Sequence, residues 1–292
     1  MLRPSLALAA LFAIASACSP AEVSSGPTAP ASSPSSSRTS SAPAPSVTAE
    51  APRTSGLAYV LLLHGLGGSG RELSRLLGMD ALSRELGFVY EAPDGEPDAR
   101  GERFWNAGPA CCDFAGQNPD HVARLGAMLE KARKDPRIDP SRLVVLGYSN
   151  GGFMAHRLGC ELAGINSIVS IAGAASWPPS TRCPAAPRRV VEVHGDADPV
   201  VRFDGGLLFG KPERAYPSVD ASVGLWQSQL GCSDALVEAG QFDLESALEG
   251  AETTLSSGCD ERLSVYRVRG GDHSIVRIRG LIHAALVRAL AP

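Results

Sequence analysis

Three short stretches bring together residue types that can cooperate in nucleophilic chemistry. Ser149 lies in Gly147-Tyr148-Ser149-Asn150-Gly151, followed by Gly152. A serine hydroxyl is a useful nucleophile only when it is exposed and beside a base. A sharp turn from a strand into a helix exposes it, and glycines on either side let the backbone segments pack closely. A base is offered by His273 in Gly270-Gly271-Asp272-His273, and an acid to orient it by Val193-His194-Gly195-Asp196-Ala197-Asp198-Pro199. Asp198 is preferred because it lies further into the loop beyond the strand. Asp196 is the second candidate, with turn capping by its carboxylate as its other role.

A fourth stretch, His64-Gly65-Leu66-Gly67-Gly68, suits the stabilisation of an oxyanion by fixed backbone N–H groups. The expected donors are Leu66 from this loop and Asn150, the residue after the nucleophile. A phosphate cradle is the competing reading, but no Gly-Lys-Ser/Thr follows. His64 reads as a structural histidine that fixes the loop. His121, His156 and His283 fall on predicted helices, which leaves His273 as the candidate base.

The elements needed to position these residues are legible around them. Apolar runs at 58–63, 87–90, 143–146, 167–171, 189–193 and 263–268 read as buried strands. Helical patterns occupy 71–86, 120–133, 152–162, 219–230 and 282–290. Strands alternating with helices predict an α/β fold with a mostly parallel sheet and helices on both faces. The region 233–258 has no clear period and reads as a surface excursion. Each candidate residue follows a predicted strand, and the chain order Ser149, Asp198, His273 is that of the α/β-hydrolase fold. A glycine-rich loop with an incidental serine explains one motif by itself, but not three in this order.

Residues 1–18 carry a basic start, an apolar run from Leu6 to Ala15 and small residues up to Cys18, the pattern of an export signal. The run is shorter than the about 20 residues of a membrane-spanning helix. Ala15-Ser16-Ala17-Cys18 is similar to a bacterial lipobox, which makes Cys18 a candidate for lipidation and membrane attachment; cleavage near Ala17 without lipid is the alternative. Residues 19–55, almost entirely Ser, Pro, Ala, Thr and Gly, read as a flexible linker. The catalytic domain is then 56–292.

The formal net charge of −4 comes without a basic block, which argues against nucleic acid as a partner. Setting Cys18 aside leaves six cysteines, an even number suited to disulfides in an exported chain. Cys232 and Cys259 bracket the 233–258 excursion and are expected to close it. The adjacent Cys111 and Cys112 are expected to bond elsewhere rather than to each other. No metal-ligand spacing is present, and the expected chemistry needs no metal or cofactor.

The chain resembles the secreted polyhydroxybutyrate depolymerase/feruloyl esterase family. The matching pieces are Leu63-His64-Gly65-Leu66-Gly67-Gly68-Ser69-Gly70, Pro93-Asp94-Gly95, Trp105-Asn106 with Cys111-Cys112, and Ser149-Asn150-Gly151-Gly152-Phe153-Met154 with Arg157-Leu158-Gly159-Cys160. Further matches are His194-Gly195-Asp196-Ala197-Asp198-Pro199-Val200-Val201 with Gly205-Gly206, and Gly231-Cys232. They extend over about 58–275. The resemblance implies carboxylic-ester hydrolysis by Ser149, Asp198 and His273, on feruloyl or acetyl esters of polysaccharide, small esters or a polyester. A peptidase or acyltransferase on the same three residues, or a non-catalytic lipoprotein, are the alternatives. The family carries Trp-Pro-Gly where this chain has Ser274-Ile275-Val276, and Pro-Tyr where it has Arg202-Phe203. Both departures fall near the expected mouth of the site. Trp105 is the candidate substrate-contacting aromatic, with packing against the Cys111-Cys112 loop as its other reading.

Overall fold

The computed structural model describes residues 55–175, 183–248 and 250–291. The expected export signal, Cys18 and nearly all of the linker lie outside these residues. The first strand, β1 (Leu57–Leu63), is buried along its length except at its first residue. Its alternating side chains enter two separate cores: Tyr59, Leu61 and Leu63 on one face, Ala58, Val60 and Leu62 on the other. A strand covered on both faces cannot alternate with polar residues, so it reads as a continuous apolar run.

After β1 come α1 (Gly70–Leu77), α2 (Met79–Leu86), β2 (Phe88–Glu91), and a short ribbon of β3 (Glu96–Pro97) and β4 (Arg103–Phe104). Then follow α3 (His121–Arg133), β5 (Ile138–Tyr148), α4 (Asn150–Glu161), β6 (Ser167–Ile171) and β7 (Arg189–Gly195). A second ribbon, β8 (Gly206–Leu207) and β9 (Ala215–Tyr216), precedes α5 (Val219–Leu230). The chain continues through β10 (Val237–Phe242), β11 (Thr253–Gly258), β12 (Leu263–Val268) and α6 (Arg279–Leu290). The eight-stranded sheet has the order β10-β11-β12-β7-β6-β5-β1-β2. Its pairs are parallel from β12 to β2 and antiparallel where β10 and β11 are added. Apolar residues of α3, α4 and α5 pack on one face, and those of α1, α2 and α6 on the other.

Two sequence expectations change. The helix expected over 71–86 is two helices, because Gly78 adopts left-handed backbone (φ 69°) and ends α1. At the other end of α1, Ser69 accepts from the Glu72 N–H and its hydroxyl donates back to the Glu72 carboxylate, a cap worth about 1 kcal/mol. The 233–258 excursion is the β10–β11 hairpin at the edge of the sheet. In β11 the inward positions are Thr253, Leu255 and Ser257, and small polar residues there hide the two-residue period. The Cys232–Cys259 disulfide brackets this hairpin as expected. Cys160 and Cys183 form a second disulfide.

Candidate active site

β5 ends at Tyr148 and α4 begins at Asn150, so Ser149 is the whole turn. Its backbone sits at φ 54°, ψ −118°, a conformation that costs a non-glycine residue on the order of 1–3 kcal/mol. Neighbouring glycines make the turn feasible. A Cβ on Gly147 would overlap the Gly151 carbonyl, and one on Gly151 would overlap the Leu63 carbonyl at the end of β1. The Ser149 N–H donates to Ile171 O at 2.8 Å, which ties the elbow to β6.

The acid and base arrive on adjacent strands. β7 and β12 are paired in parallel, with Gly195 opposite Val268, so the loops that follow them emerge side by side. Gly195 passes so close to Gly271 that any Cβ there would strike the Gly271 carbonyl. Asp196 holds the two loops together: its carboxylate accepts from the Gly270 N–H at 2.7 Å and pairs with Arg267 at 3.0 Å. Asp198 points the other way and is fully buried, accepting from the Val200 and Val201 N–H groups on Oδ1. Its Oδ2 lies 2.7 Å from His273 Nδ1, and His273 Nε2 lies 3.0 Å from Ser149 Oγ. The structure thus brings Ser149, His273 and Asp198 into one hydrogen-bonded line, with Asp196 outside it. The Tyr148 hydroxyl donates to the His273 carbonyl at 2.9 Å, and burial pushes its own pKa up to about 12.

Leu66 lies in the cavity wall beside the nucleophile. A Cβ on Gly65 would come within 3.3 Å of Ser149 Cβ, so this loop passes closely against the nucleophile. Asn150 opens α4, and the N–H groups of a first helical turn have no partner within the helix. Its side chain is engaged elsewhere, donating to Trp105 O at 2.9 Å and accepting from the Trp105 N–H at 2.7 Å. His64 holds the glycine loop: Nε2 accepts from the Gly95 N–H at 2.8 Å and Nδ1 donates to Gly65 O at 2.7 Å. Burial lowers its pKa, consistent with a neutral ring that both donates and accepts.

A cavity of about 270 Å³ opens at Ser149 and His273. Apolar atoms of Leu66, Phe153, Val200, Leu208 and Phe209, together with Cys111 and Cys112, form its walls. Phe209 is 64% exposed and its ring meets Phe114 edge-on, while the Arg214 guanidinium lies 4.0 Å above Phe114. Leu208 and Phe209 escape sequence reading because they lie in an irregular segment after a two-residue strand, where no periodicity marks them. Among the described residues, no group of three or more His, Cys, Asp or Glu is placed to hold a metal ion.

Three expectations about the site are corrected. Trp105 is not a substrate platform: it is 0% exposed, and its indole N–H donates to His64 O at 2.9 Å. A ring wedged between the glycine loop and the Asn150 side chain has no open face for a ligand. Cys111 and Cys112 are bonded to each other, and the pair forms part of the cavity wall. The departures at Arg202-Phe203 and Ser274-Ile275-Val276 are absent from that wall. Phe203 packs edge-on against His194, and Ile275 and Val276 are buried in the core under α6.

No protein-family model matches the chain. In sequence it is similar to "Putative esterase NocK" of Nocardia uniformis subsp. tsuyamanensis, 32% identical over 154 residues, which is 51% of this chain and 42% of that protein. It is also similar to "Probable feruloyl esterase C" of Aspergillus niger, 27% identical over 220 residues, covering 72% of this chain and 69% of that one. The chain thus spans less than half the length of the first of these relatives. Among solved structures, the crystal structure of esterase PE8 superimposes with a TM-score of 0.52 at 19% identity, covering 82% of this chain and 96% of that one. The parallel sheet, the elbow at the end of β5 and these likenesses agree: the chain has the α/β-hydrolase fold and is similar in sequence to proteins named esterase and feruloyl esterase.

Proposed function

We propose that the chain is an exported serine carboxylester hydrolase acting through an acyl-enzyme on Ser149. The observation that carries this reading is the unbroken line from Ser149 Oγ to His273 Nε2 at 3.0 Å and from His273 Nδ1 to Asp198 at 2.7 Å, open to an apolar cavity. His273 takes the Ser149 proton as the hydroxyl attacks the ester carbonyl, and Asp198 fixes the tautomer that leaves Nε2 free to accept it. The Leu66 and Asn150 N–H groups stabilise the oxyanion, and donors of this kind are worth roughly 10²–10³ in turnover each. His273 then returns the proton to the leaving alcohol, and water releases the acid by the same route in reverse. None of these steps calls on a metal or cofactor.

The substrate class is a feruloyl, acetyl or hydroxyalkanoate ester. The apolar lining and the exposed Phe209 ring at the cavity favour an acyl group with apolar surface. Residues 1–18 support export, and the lipobox-like Ala15-Ser16-Ala17-Cys18 supports attachment through a lipidated Cys18, with cleavage near Ala17 without lipid as the alternative. Incubating the purified protein with p-nitrophenyl acetate, methyl ferulate and a serine-reactive phosphonate, beside Ser149→Ala, tests the reaction. Turnover and labelling in the wild type alone are expected; a wild type that does neither rules out the reading. Mass spectrometry of the native N-terminus separates a diacylglyceryl cysteine at Cys18 from plain cleavage.

A further inference from the structure

Behind the acid lies a buried set of ionisable groups that the proposed reaction does not use. Glu192 on β7 is fully buried, with His156 Nε2 at 3.0 Å from one carboxylate oxygen and His194 Nδ1 at 3.4 Å from the other. The Ser170 hydroxyl from β6 also lies 3.4 Å from Glu192. The partners settle where the protons are. His156 Nδ1 receives the Trp226 indole N–H at 2.9 Å, and an indole only donates. His156 therefore carries its single proton on Nε2, is neutral, and donates to Glu192. For His194, Nε2 lies 2.7 Å from Val201 O, and a carbonyl only accepts. Its Nδ1 faces Glu192, which already accepts from His156. With Glu192 ionised, satisfying both contacts places a proton on each ring nitrogen of His194.

Resting on the esterase reading of Ser149, we propose that Glu192 and His194 form a buried carboxylate–imidazolium pair that acts as a positioning device for Asp198. It works in two ways. His194 grips Val201 O, while the Val201 N–H donates to Asp198 Oδ1, so the ring fixes the turn that presents the acid. Its charge also stands 3.8 Å from Asp198 Oδ2, the oxygen that holds His273. Asp198 Oδ2 is thereby shared between His194 and His273, which weakens its attraction for positive charge on His273.

Glu192 and Asp198 are the carboxylates that face this charge. The Phe203 ring edge covers His194, and on the neighbouring β12 the Arg267 guanidinium lies over Phe203 and is paired with Asp196. The Tyr216 hydroxyl, close to Asp198, accepts from the Arg202 N–H. The directions of titration agree with the geometry. Burial alone would lower the pKa of His194, but the hydrogen bond and charge of Glu192 outweigh it and raise it. Burial alone would raise that of Glu192, and its two histidine partners outweigh that and lower it.

The test needs no substrate. Long-range proton–nitrogen NMR of the full chain reads the protonation of His194 and the titration midpoint of His273. In the wild type at pH 8, His194 is expected to carry both ring protons. Glu192→Gln keeps every contact, because its amide can donate to a neutral His194 and accept from His156. His194 should then lose one ring proton, and the His273 midpoint should rise by about half a pH unit. The acid limb of kcat/KM on p-nitrophenyl acetate should rise with it. A singly protonated His194 in the wild type, or an unmoved His273 midpoint in the variant, overturns the proposal. Should Glu192→Gln not fold, His194→Gln carries the same test and should raise the midpoint further, since Glu192 then keeps its charge. A wild type without esterase activity rejects the esterase reading, while the two midpoints still decide whether the pair acts on His273.

Discussion

Asp198→Asn is the sharpest perturbation of the site, because the hydrogen bonds dictate how the amide must sit. Asp198 Oδ1 accepts from two backbone N–H groups, Val200 at 2.8 Å and Val201 at 3.0 Å. An asparagine must keep its carbonyl oxygen there, since turning the amide over would set its NH₂ against both donors. The NH₂ group then takes the place of Oδ2, 2.7 Å from His273 Nδ1. Facing a donor, Nδ1 must give up its proton, so the remaining ring proton moves to Nε2 and points at Ser149 Oγ. The base is lost although no heavy atom has moved. Loss of the correct tautomer costs about 10⁴ in turnover, or about 5.4 kcal/mol of transition-state stabilisation. Asp196→Asn should behave oppositely: it breaks the Arg267 pair, whose guanidinium is half exposed, and a pair of that kind is worth about 1 kcal/mol or less. Measuring kcat/KM on p-nitrophenyl acetate for both variants, with thermal unfolding as a check on folding, separates the roles. An Asp198→Asn enzyme within tenfold of wild type, or an Asp196→Asn enzyme as impaired as Asp198→Asn, refutes the assignment.

Gly147→Ala should destabilise the fold by several kcal/mol, because its methyl group would overlap the Gly151 carbonyl of the elbow; denaturant titration measures it. Replacing Cys232 and Cys259 together with serine opens a loop with a sequence separation of 27 and should cost about 3.5 kcal/mol, read as a lower unfolding midpoint with the site chemistry intact. Phe209→Ala removes an exposed ring from the cavity wall and should raise KM for an aryl ester while leaving thermal stability within about 0.5 kcal/mol. Trp105→Ala should do the reverse of a surface ligand contact: a fully buried indole that holds His64 O is lost, at about 3–5 kcal/mol of stability.

The parts legible in the sequence are those whose causes are local. The elbow needs glycines within two or three residues of Ser149, and the strand before it needs a run of apolar residues, so both are written in adjacent letters. Asp198 and His273 are legible for the same reason, each being a short loop after a buried strand. Trp105 was not, because its burial comes from His64, some forty positions earlier, and from Asn150, forty-five positions later. The β10–β11 hairpin was hidden by its composition, since Thr and Ser occupy inward positions that a periodicity argument expects to be apolar. The proton pattern on His194 lies further still from sequence reading, for it depends on a carbonyl, a carboxylate and an indole contributed by three different elements.

That separation bears on where specificity is set. From sequence, the departures at Arg202-Phe203 and Ser274-Ile275-Val276 looked like changes at the mouth of the site. In the structure Phe203 supports His194, the Arg202 N–H donates to Tyr216, and Ile275 and Val276 are core residues. Phe203, Ile275 and Val276 belong to the backing of the acid and base loops, where a change of side chain is expected to alter the placement and electrostatics of Asp198 and His273 before it alters what the cavity accepts. The cavity wall is instead formed in part by Cys111 and Cys112, from a loop, and by Leu208 and Phe209, from a short 3-10 turn. Substitutions at Phe209 should therefore change the ranking of ester substrates with little effect on the pH profile. Substitutions at Phe203 should move the pH profile and leave the ranking in place; a Phe203→Tyr enzyme that reorders its substrates without shifting its acid limb would break this division.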